Sequence, residues 1–329
     1  MFKGKKILIT GGTGSLGKAL AKKLLELDAD IVRIFSRNEN SQIIMQSEMN
    51  DDRLRYFIGD VRDLPRLIKA MEDVDIVYHA AALKHVPVVE YNPFEAIKTN
   101  VLGSQNVIDA CLHENIETVV CVGTDKAVSP LNTYGATKLL MEKLFVTASN
   151  YTNRERHKTK FIAIRYGNVL GSSGSVVPTL LKQIESGRNI TITDPNMTRF
   201  NITMNQALDF IIRSSKKGNG GEVFIPKLKA YSLGILKEAI LEVLEKDVKT
   251  ELISVRPGEK YHESLISSEE IRNTFEDKDD YVILEDSLQN NIKTKKSTLT
   301  NQYSSDVVEC LTKKELKKIL IEEKLVSTK

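Results

Sequence analysis

The chain has 329 residues, of which 41% are hydrophobic and 28% charged, with a formal net charge of +3. That length suits one large domain carrying a smaller lobe, and the composition is that of an ordinary globular protein. So small a charge excess gives no footing for nucleic acid or an anionic membrane surface, and neither partner is expected.

No run approaches the roughly 18 apolar residues that a spanning helix needs. Met1–Thr10 has no long apolar region and no small-residue cleavage site, so the chain reads as soluble and cytoplasmic. Cys111, Cys121 and Cys310 show no metal-ligand spacing. No metal site is expected, and free thiols fit a reducing compartment.

In chain order, Lys6–Thr10 (KILIT) reads as a buried strand, followed by a glycine turn and an amphipathic helix over Leu16–Leu27. Strand-like runs follow at Ile31–Phe35, Arg55–Ile58, Asp75–Tyr78, Thr118–Val122 and Phe161–Arg165, most of them separated by a helix-length segment. Strands alternating with helices imply crossover units. The fold class is therefore α/β, a Rossmann-type doubly wound parallel sheet. After Gly171 the pattern becomes irregular, and a smaller C-terminal substrate lobe is expected over 171–329, against a cofactor-binding core over 1–170. The chain returns to the core near 201–228, with a strand at Glu222–Ile225. Leu233–Leu244 reads as a helix and Glu251–Val255 as a strand of the smaller lobe. The stretch from Asn273 to Asn301 reads as a loop or wrapping arm. Lys313–Leu325 reads as an amphipathic helix.

Directly after the first strand stand Gly11, Gly14 and Gly17, spaced G-x-x-G-x-x-G, with Thr13, Ser15 and Leu16 between them. Glycines let the backbone turn tightly and approach a pyrophosphate, and the helix that follows offers free N–H groups to that anion. Lying between a strand and a helix, the motif points to dinucleotide binding. An acid at the end of the second strand would hold an NAD ribose. Here Ser36-Arg37 stands instead, and a hydroxyl with a guanidinium suits the 2′-phosphate of NADP.

Two further segments carry chemistry. Thr124-Asp125-Lys126 follows the strand Thr118–Val122, and Tyr134 and Lys138 form Y-x-x-x-K on a helix. Residues i and i+4 share a helix face, so the Lys138 ammonium can lie near the Tyr134 phenol and lower its pKa. The phenolate can then take a proton from a sugar hydroxyl while the carbon loses hydride.

These strings, together with Asp60-Val61, His79-Ala80-Ala81, Lys84-His85-Val86-Pro87, Arg165-Tyr166-Gly167-Asn168, Met197-Thr198-Arg199-Phe200 and Arg256-Pro257-Gly258-Glu259-Lys260, resemble the extended short-chain dehydrogenase/reductase family. More narrowly, the chain is similar to its inverting UDP-N-acetylglucosamine 4,6-dehydratases over about the first 265 residues. The resemblance implies a lyase that oxidises C4 of a UDP-sugar through Tyr134 and Lys138. It then eliminates water with Asp125 as acid at the C6 oxygen and Lys126 as base at C5. Lys126 must be neutral for that role, and Asp125 protonated. The resemblance also implies a homo-oligomer. It adds Asp60, Val61, Ala80, Ala81, Ala82, Asn100 and Thr124 to the NADP-binding residues. It gives Lys84, Thr124, Asn168, Val176, Arg199, Arg256 and Glu259 to the substrate, while His79 and His85 are read as structural or cofactor-lining.

The chain departs from the family at Gly123, where serine is common, and in a tail closer to dehydratase/epimerases of capsule synthesis. Two rivals remain at this level. A 4-epimerase needs only Tyr134 and Lys138, so Asp125-Lys126 discriminates against it. A non-enzymatic NADP-binding regulator would be expected to lose the tyrosine or the lysine. The cofactor reading makes a first prediction. Arg37→Ala should weaken NADP binding by about 1.5–3 kcal/mol, the size of a charge-assisted contact, and leave NAD binding nearly unchanged in a side-by-side titration.

Overall fold

The computed structural model describes residues 2–151, 157–172, 174–284 and 294–326. Its first half follows the alternation of the sequence. Strand β1 (Lys6–Thr10) leads to helix α1 (Ser15–Glu26), β2 (Ile31–Ser36) to α2 (Glu39–Met49), and β3 (Leu54–Ile58) to α3 (Leu64–Met71). After β4 (Ile76–His79) come short helices α4 (Val86–Tyr91) and α5 (Pro93–Ala96), a π-helical stretch Ile97–Leu102, and α6 (Gly103–His113). Then β5 (Thr118–Val122), α7 (Thr133–Tyr151) and β6 (Lys160–Ile164) complete this part. Strands buried on both faces need continuous apolar runs, and β4 and β5 are buried along their whole length.

The later chain supplies α8 (Val176–Glu185), β7 (Ile190–Ile192), β8 (Thr198–Phe200), α9 (Met204–Lys217), β9 (Val223–Pro226), β10 (Ala230–Ser232), α10 (Leu233–Val243), β11 (Thr250–Leu252) and β12 (Ser264–Ile266). Beyond them lie β13 (Thr274–Glu276), β14 (Asp280–Ile283), β15 (Lys295–Lys296), β16 (Tyr303–Ser304) and α11 (Lys313–Glu322). The main sheet runs β15-β13-β14-β9-β6-β5-β4-β1-β2-β3. From β3 to β9 every pairing is parallel, and β13, β14 and β15 extend the β9 edge antiparallel. Strand order reverses between β1 and β4, which opens a crevice at their carboxyl ends, where α/β sheets bind ligands.

Helices cover both faces. One apolar cluster joins α1 and α9 to the sheet; the other joins α3, α6 and α7 to its opposite face. A third cluster, around α8, α10 and α11, is built from the later chain and includes Leu180, Leu236, Ile240 and Leu316. There β8 pairs with β10 and β7 with β11. No helix among the described residues is long and apolar enough to cross a membrane.

One expectation needs correction. The stretch from Asn273 to Asn301 is not wholly an arm. Thr274–Glu276 and Asp280–Ile283 are sheet strands, although residues 285–293 of that stretch lie outside the described residues. The strands are too short to show a period. They are held by tertiary contacts, with Arg213 Nε donating to Asp280 Oδ2 at 2.7 Å and Tyr281 packed edge-on to Tyr303. Helix α9 also escaped the periodic reading, although its capping box, Thr203 with Gln206, was visible as T-x-x-Q.

His79 closes β4 in a fully buried site, its ring nitrogens 2.7 Å from Thr10 Oγ1 and 3.0 Å from Ser104 Oγ. Burial, helped by the Lys138 cation, pushes its pKa down to about 3. In the unfolded chain it titrates near 6.5. Between those values the unfolded state binds the extra proton, so acid destabilises the fold and rising pH restores it. Unfolding free energy should therefore fall by roughly 1.4 kcal/mol per pH unit from this group between about pH 6.5 and 3. Denaturant titrations across that range should show a shallower fall in His79→Gln.

Candidate active site

The glycine loop forms the floor of the crevice. Gly11 has φ +68°, and a Cβ there would lie 2.9 Å from the Ala81 backbone. At Gly17 a Cβ would stand 2.6 Å from the Gly11 carbonyl oxygen, so helix and strand could not close up. Helix α1 starts at Gly14 with no side-chain cap and no acidic residue in its first turn. Its first N–H groups are thus available to an anion.

One long cleft runs over this loop. Gly11, Thr13, Gly14, Ser15, Leu16, Gly17, Ser36, Arg37, Asp60, Val61, Ala80, Ala81, Ala82, Thr124, Tyr134 and Lys138 all line it, as the sequence reading requires. Asn100 does not. It is fully buried in the π-helical stretch, accepts from the Leu83 N–H at 2.8 Å, and donates to the Leu83 carbonyl and to Thr137 Oγ1 at 3.0 Å. It pins the cleft wall rather than facing it. Arg37 Nη1 lies 3.8 Å from Asp60, whose carboxylate is taken mainly by Arg62 at 2.7 Å. The guanidinium of Arg37 stays half exposed at the cleft end.

A second cleft meets the first at Lys84, His85, Thr124, Tyr134, Asn168 and Ser172. It collects Lys126, Val176, Arg199, Arg256 and Glu259, so all the residues given to the substrate converge here from segments far apart in sequence. Arg199 Nη2 pairs with Glu259 Oε1 at 3.2 Å, and Arg256 is exposed at the rim. Sequence reasoning missed Asn132, Lys260 and Glu263 on its wall. Of these only Lys260 stood inside a quoted motif. Glu263 carried no signal that would have found it.

Where the clefts meet, the backbone leaves β5 through Gly123, whose N–H donates to the Ile164 carbonyl at 2.7 Å. Thr124 Oγ1 donates to Asp125 Oδ1 at 2.9 Å. Asp125 is fully buried behind Thr124 and Lys126, with Oδ2 lacking any hydrogen-bond partner among the described residues. Lys126 Nζ donates to Asp125 Oδ1 at 3.1 Å and to Asn168 Oδ1 at 2.9 Å, and lies 3.4 Å from Glu263 Oε1.

The charge states differ from those the sequence suggested. Burial alone would lower the Lys126 pKa, but Asp125, Glu263 and Tyr134 more than offset it and hold Lys126 as an ammonium. The depressed lysine is Lys138, which burial brings down to about 8. Its Nζ donates to the Val122 carbonyl at 2.6 Å. Burial raises the Tyr134 pKa; the cation opposing that shift is Lys126. The i, i+4 spacing does put Tyr134 and Lys138 along the same cleft, but the nearby carbonyl, not the phenol, receives the ammonium.

Fold and cleft together define an extended short-chain dehydrogenase/reductase. The description "Polysaccharide biosynthesis protein" belongs to the family model that matches residues 7–285. The chain belongs to that polysaccharide biosynthesis family. It is 48% identical to a UDP-N-acetylglucosamine 4,6-dehydratase (inverting) of Campylobacter jejuni over 86% of this chain and 84% of that one. It is 38% identical to a UDP-glucose 4-epimerase of Rickettsia rickettsii, over 98% of this chain and 96% of that one. A crystal structure of Pen from Bacillus thuringiensis superposes with a TM-score of 0.92 at 40% identity, covering 99% of both chains.

The serine common at position 123 meets a steric limit in this chain. A Cβ on Gly123 would sit 2.4 Å from the Ile164 carbonyl oxygen. Gly123→Ser should therefore push β5 from β6 and destabilise the protein by about 1–3 kcal/mol, the usual range for overpacking, measured by chemical denaturation.

Proposed function

We propose that this chain is an NADP-dependent lyase, a UDP-N-acetylglucosamine 4,6-dehydratase of the inverting kind. The observation that carries the reading is Lys126 on the wall of the second cleft, close to Tyr134 and with Asp125 buried behind it as its ion-pair partner. The likeness to the Campylobacter jejuni enzyme, at 48% identity, supports the same reaction and substrate. In this reading residues 1–170 chiefly hold the cofactor, and the segments after 171 chiefly hold the substrate.

Three features fit a nicotinamide dinucleotide: the uncapped α1 N-terminus, the close approach at Gly11, and the open end at Ser36 and Arg37. A guanidinium there, with no acid ending β2, favours the 2′-phosphate form. When bound, the nicotinamide supplies the hydride acceptor and donor.

The chain's own residues do the rest. Tyr134 takes the C4 hydroxyl proton as that carbon is oxidised, its phenolate favoured by the Lys126 cation. The resulting ketone acidifies C5. Lys126 then removes the C5 proton while Asp125 protonates the departing C6 oxygen. Lys126 starts as an ammonium, so it must first pass a proton to a neighbouring carboxylate. Arg199 and Arg256 offer guanidinium groups to the diphosphate, and Lys84 and Asn168 flank the sugar.

Proton NMR of UDP-N-acetylglucosamine incubated with the enzyme in D₂O tests the reading. Wild-type protein should give a 6-deoxy-4-keto product with deuterium at C5. Lys126→Ala should slow its formation by roughly 10²–10⁴, the effect of deleting a positioned base, with the C5 hydrogen retained. A C4 epimer with no 6-deoxy product and no C5 deuterium would instead assign a 4-epimerase.

A further inference from the structure

Elimination as proposed above needs two proton states at once, a neutral Lys126 and a protonated Asp125. A proton handed from Lys126 to Asp125 would satisfy both from an ion pair, but it leaves the nearby Glu263 without a part. Glu263 nevertheless reaches the same point from another segment. Its side chain is almost wholly buried, its Oε1 lies 3.4 Å from Lys126 Nζ, and it lines the substrate cleft. Its Oε2 has no hydrogen-bond partner among the described residues. A buried unpaired carboxylate oxygen beside a reactive ammonium calls for a chemical explanation.

The backbone at Glu263 is fixed from both sides. Its N–H donates to Ser305 Oγ at 2.9 Å, and the Ser305 N–H donates to its carbonyl at 2.8 Å. Ser305 Oγ also donates to the Thr198 carbonyl at 3.2 Å. Strand β16, which immediately precedes Ser305, pairs antiparallel with β12, which immediately follows Glu263. The late chain thus clamps Glu263 against the strand that carries Arg199.

We infer that Glu263 is the positioning residue that accepts the Lys126 proton, making Lys126 the base for C5 and leaving Asp125 free to carry the proton taken from C5 on to the C6 oxygen. The inference rests on the dehydratase reading. In the first step an N–H bond of Lys126 breaks and an O–H bond forms on Glu263, converting an ammonium–carboxylate pair into an amine and a carboxylic acid. Displacement of cleft water by the sugar favours that neutral pair, because desolvation penalises charge. The amine then takes the C5 proton and passes a proton along its hydrogen bond to Asp125, which delivers it to the leaving C6 oxygen, while Glu263 keeps the first proton until it returns to Lys126. No oxidant or further reactant enters these transfers. Lys126 also faces Tyr134 and Arg199, and Glu263 also acts on Lys260, so all of these groups contribute to the pH response.

The test uses the full chain loaded with NADP and UDP-N-acetylglucosamine in D₂O, comparing wild type, Glu263→Gln and Glu263→Asp. Glu263→Gln keeps Lys126 bound to Asp125 and Asn168, and near-ultraviolet circular dichroism checks that it folds. Three results are expected for Glu263→Gln at pH 7: product and C5 deuteration slowed at least 10²-fold, KM little changed, and transient reduced cofactor still seen at its near-ultraviolet absorbance. Its rate should climb about tenfold per pH unit above neutrality, as solvent takes over the deprotonation of Lys126, where wild type is flat. Glu263→Asp should recover part of the loss, and if the Gln variant does not fold, that recovery and a wild-type-like pH profile decide the matter.

A Glu263→Gln enzyme within threefold of wild type, or one slowed equally in cofactor reduction with no steeper pH dependence, overturns the assignment while leaving a dehydrating wild type a dehydratase. If wild type yields only a C4 epimer, the functional reading falls and this inference with it.

Discussion

Asp125 and Lys126 follow β5, Glu263 precedes β12, and two nearly fully buried carboxylates meet one lysine that is partly exposed to the substrate cleft. In that setting each charge is tolerated only through the others. Removing one partner of a buried pair generally costs about 3–5 kcal/mol, because it leaves an uncompensated charge. The surrounding architecture can be read as the means of holding these groups together. The parallel sheet fixes β5 against β6. Gly123 lets the chain turn in contact with the Ile164 carbonyl, and the Ser305 clamp brings Glu263 back from a segment more than a hundred residues later.

A second buried charge cluster serves the same geometry from beneath. Arg165, at the end of β6, donates to Glu142 of α7 at 2.6 Å and to Glu270 at 2.7 Å. It ties the helix that carries Tyr134 and Lys138 to the segment just after β12. Arginine suits this position because its planar fork binds two carboxylates at once. The cluster therefore links the cofactor side of the molecule to the segment that bears Glu263. Tyr166, the next residue, accepts from the Asp125 N–H through its carbonyl.

The contrast between the two lysines follows from their surroundings. Lys138 has a carbonyl and a thioether within reach, and the carboxylate that acts on it, Glu142, is already bound by Arg165, so desolvation dominates and its charge is weakly held. Lys126 meets the same desolvation but lies between two carboxylates, which reverse its effect. Sequence spacing alone cannot distinguish these cases. The i, i+4 spacing points to Lys138 as the partner of Tyr134, whereas the fold brings the Lys126 cation to bear on the phenol.

Much was legible in the sequence because it depended on local rules. Apolar runs of strand length gave seven parallel strands close to their observed bounds, from Lys6–Thr10 to Val223–Pro226. The glycine spacing gave the dinucleotide loop, since only a residue without Cβ fits 2.9 Å from the Ala81 backbone. The motif strings gathered the glycine loop, Tyr134 and Lys138 along the first cleft, and Lys126, Asn168, Arg199 and Arg256 along the second. Tertiary structure alone decided the remainder. Strands β13 and β14 are too short for any periodic signal; β14 exists through pairing with β9, and β13 through pairing with β14. Asn100 looked like a cleft residue until the π-helical stretch buried it against Leu83. The charge of Lys126 is held by its neighbour Asp125 together with Glu263, which is 137 positions away in sequence and 3.4 Å distant in the fold. Propensity and spacing are properties of neighbours along the chain. Protonation in a buried site depends on which charges the fold brings within a few ångströms, and a linear sequence does not contain those distances.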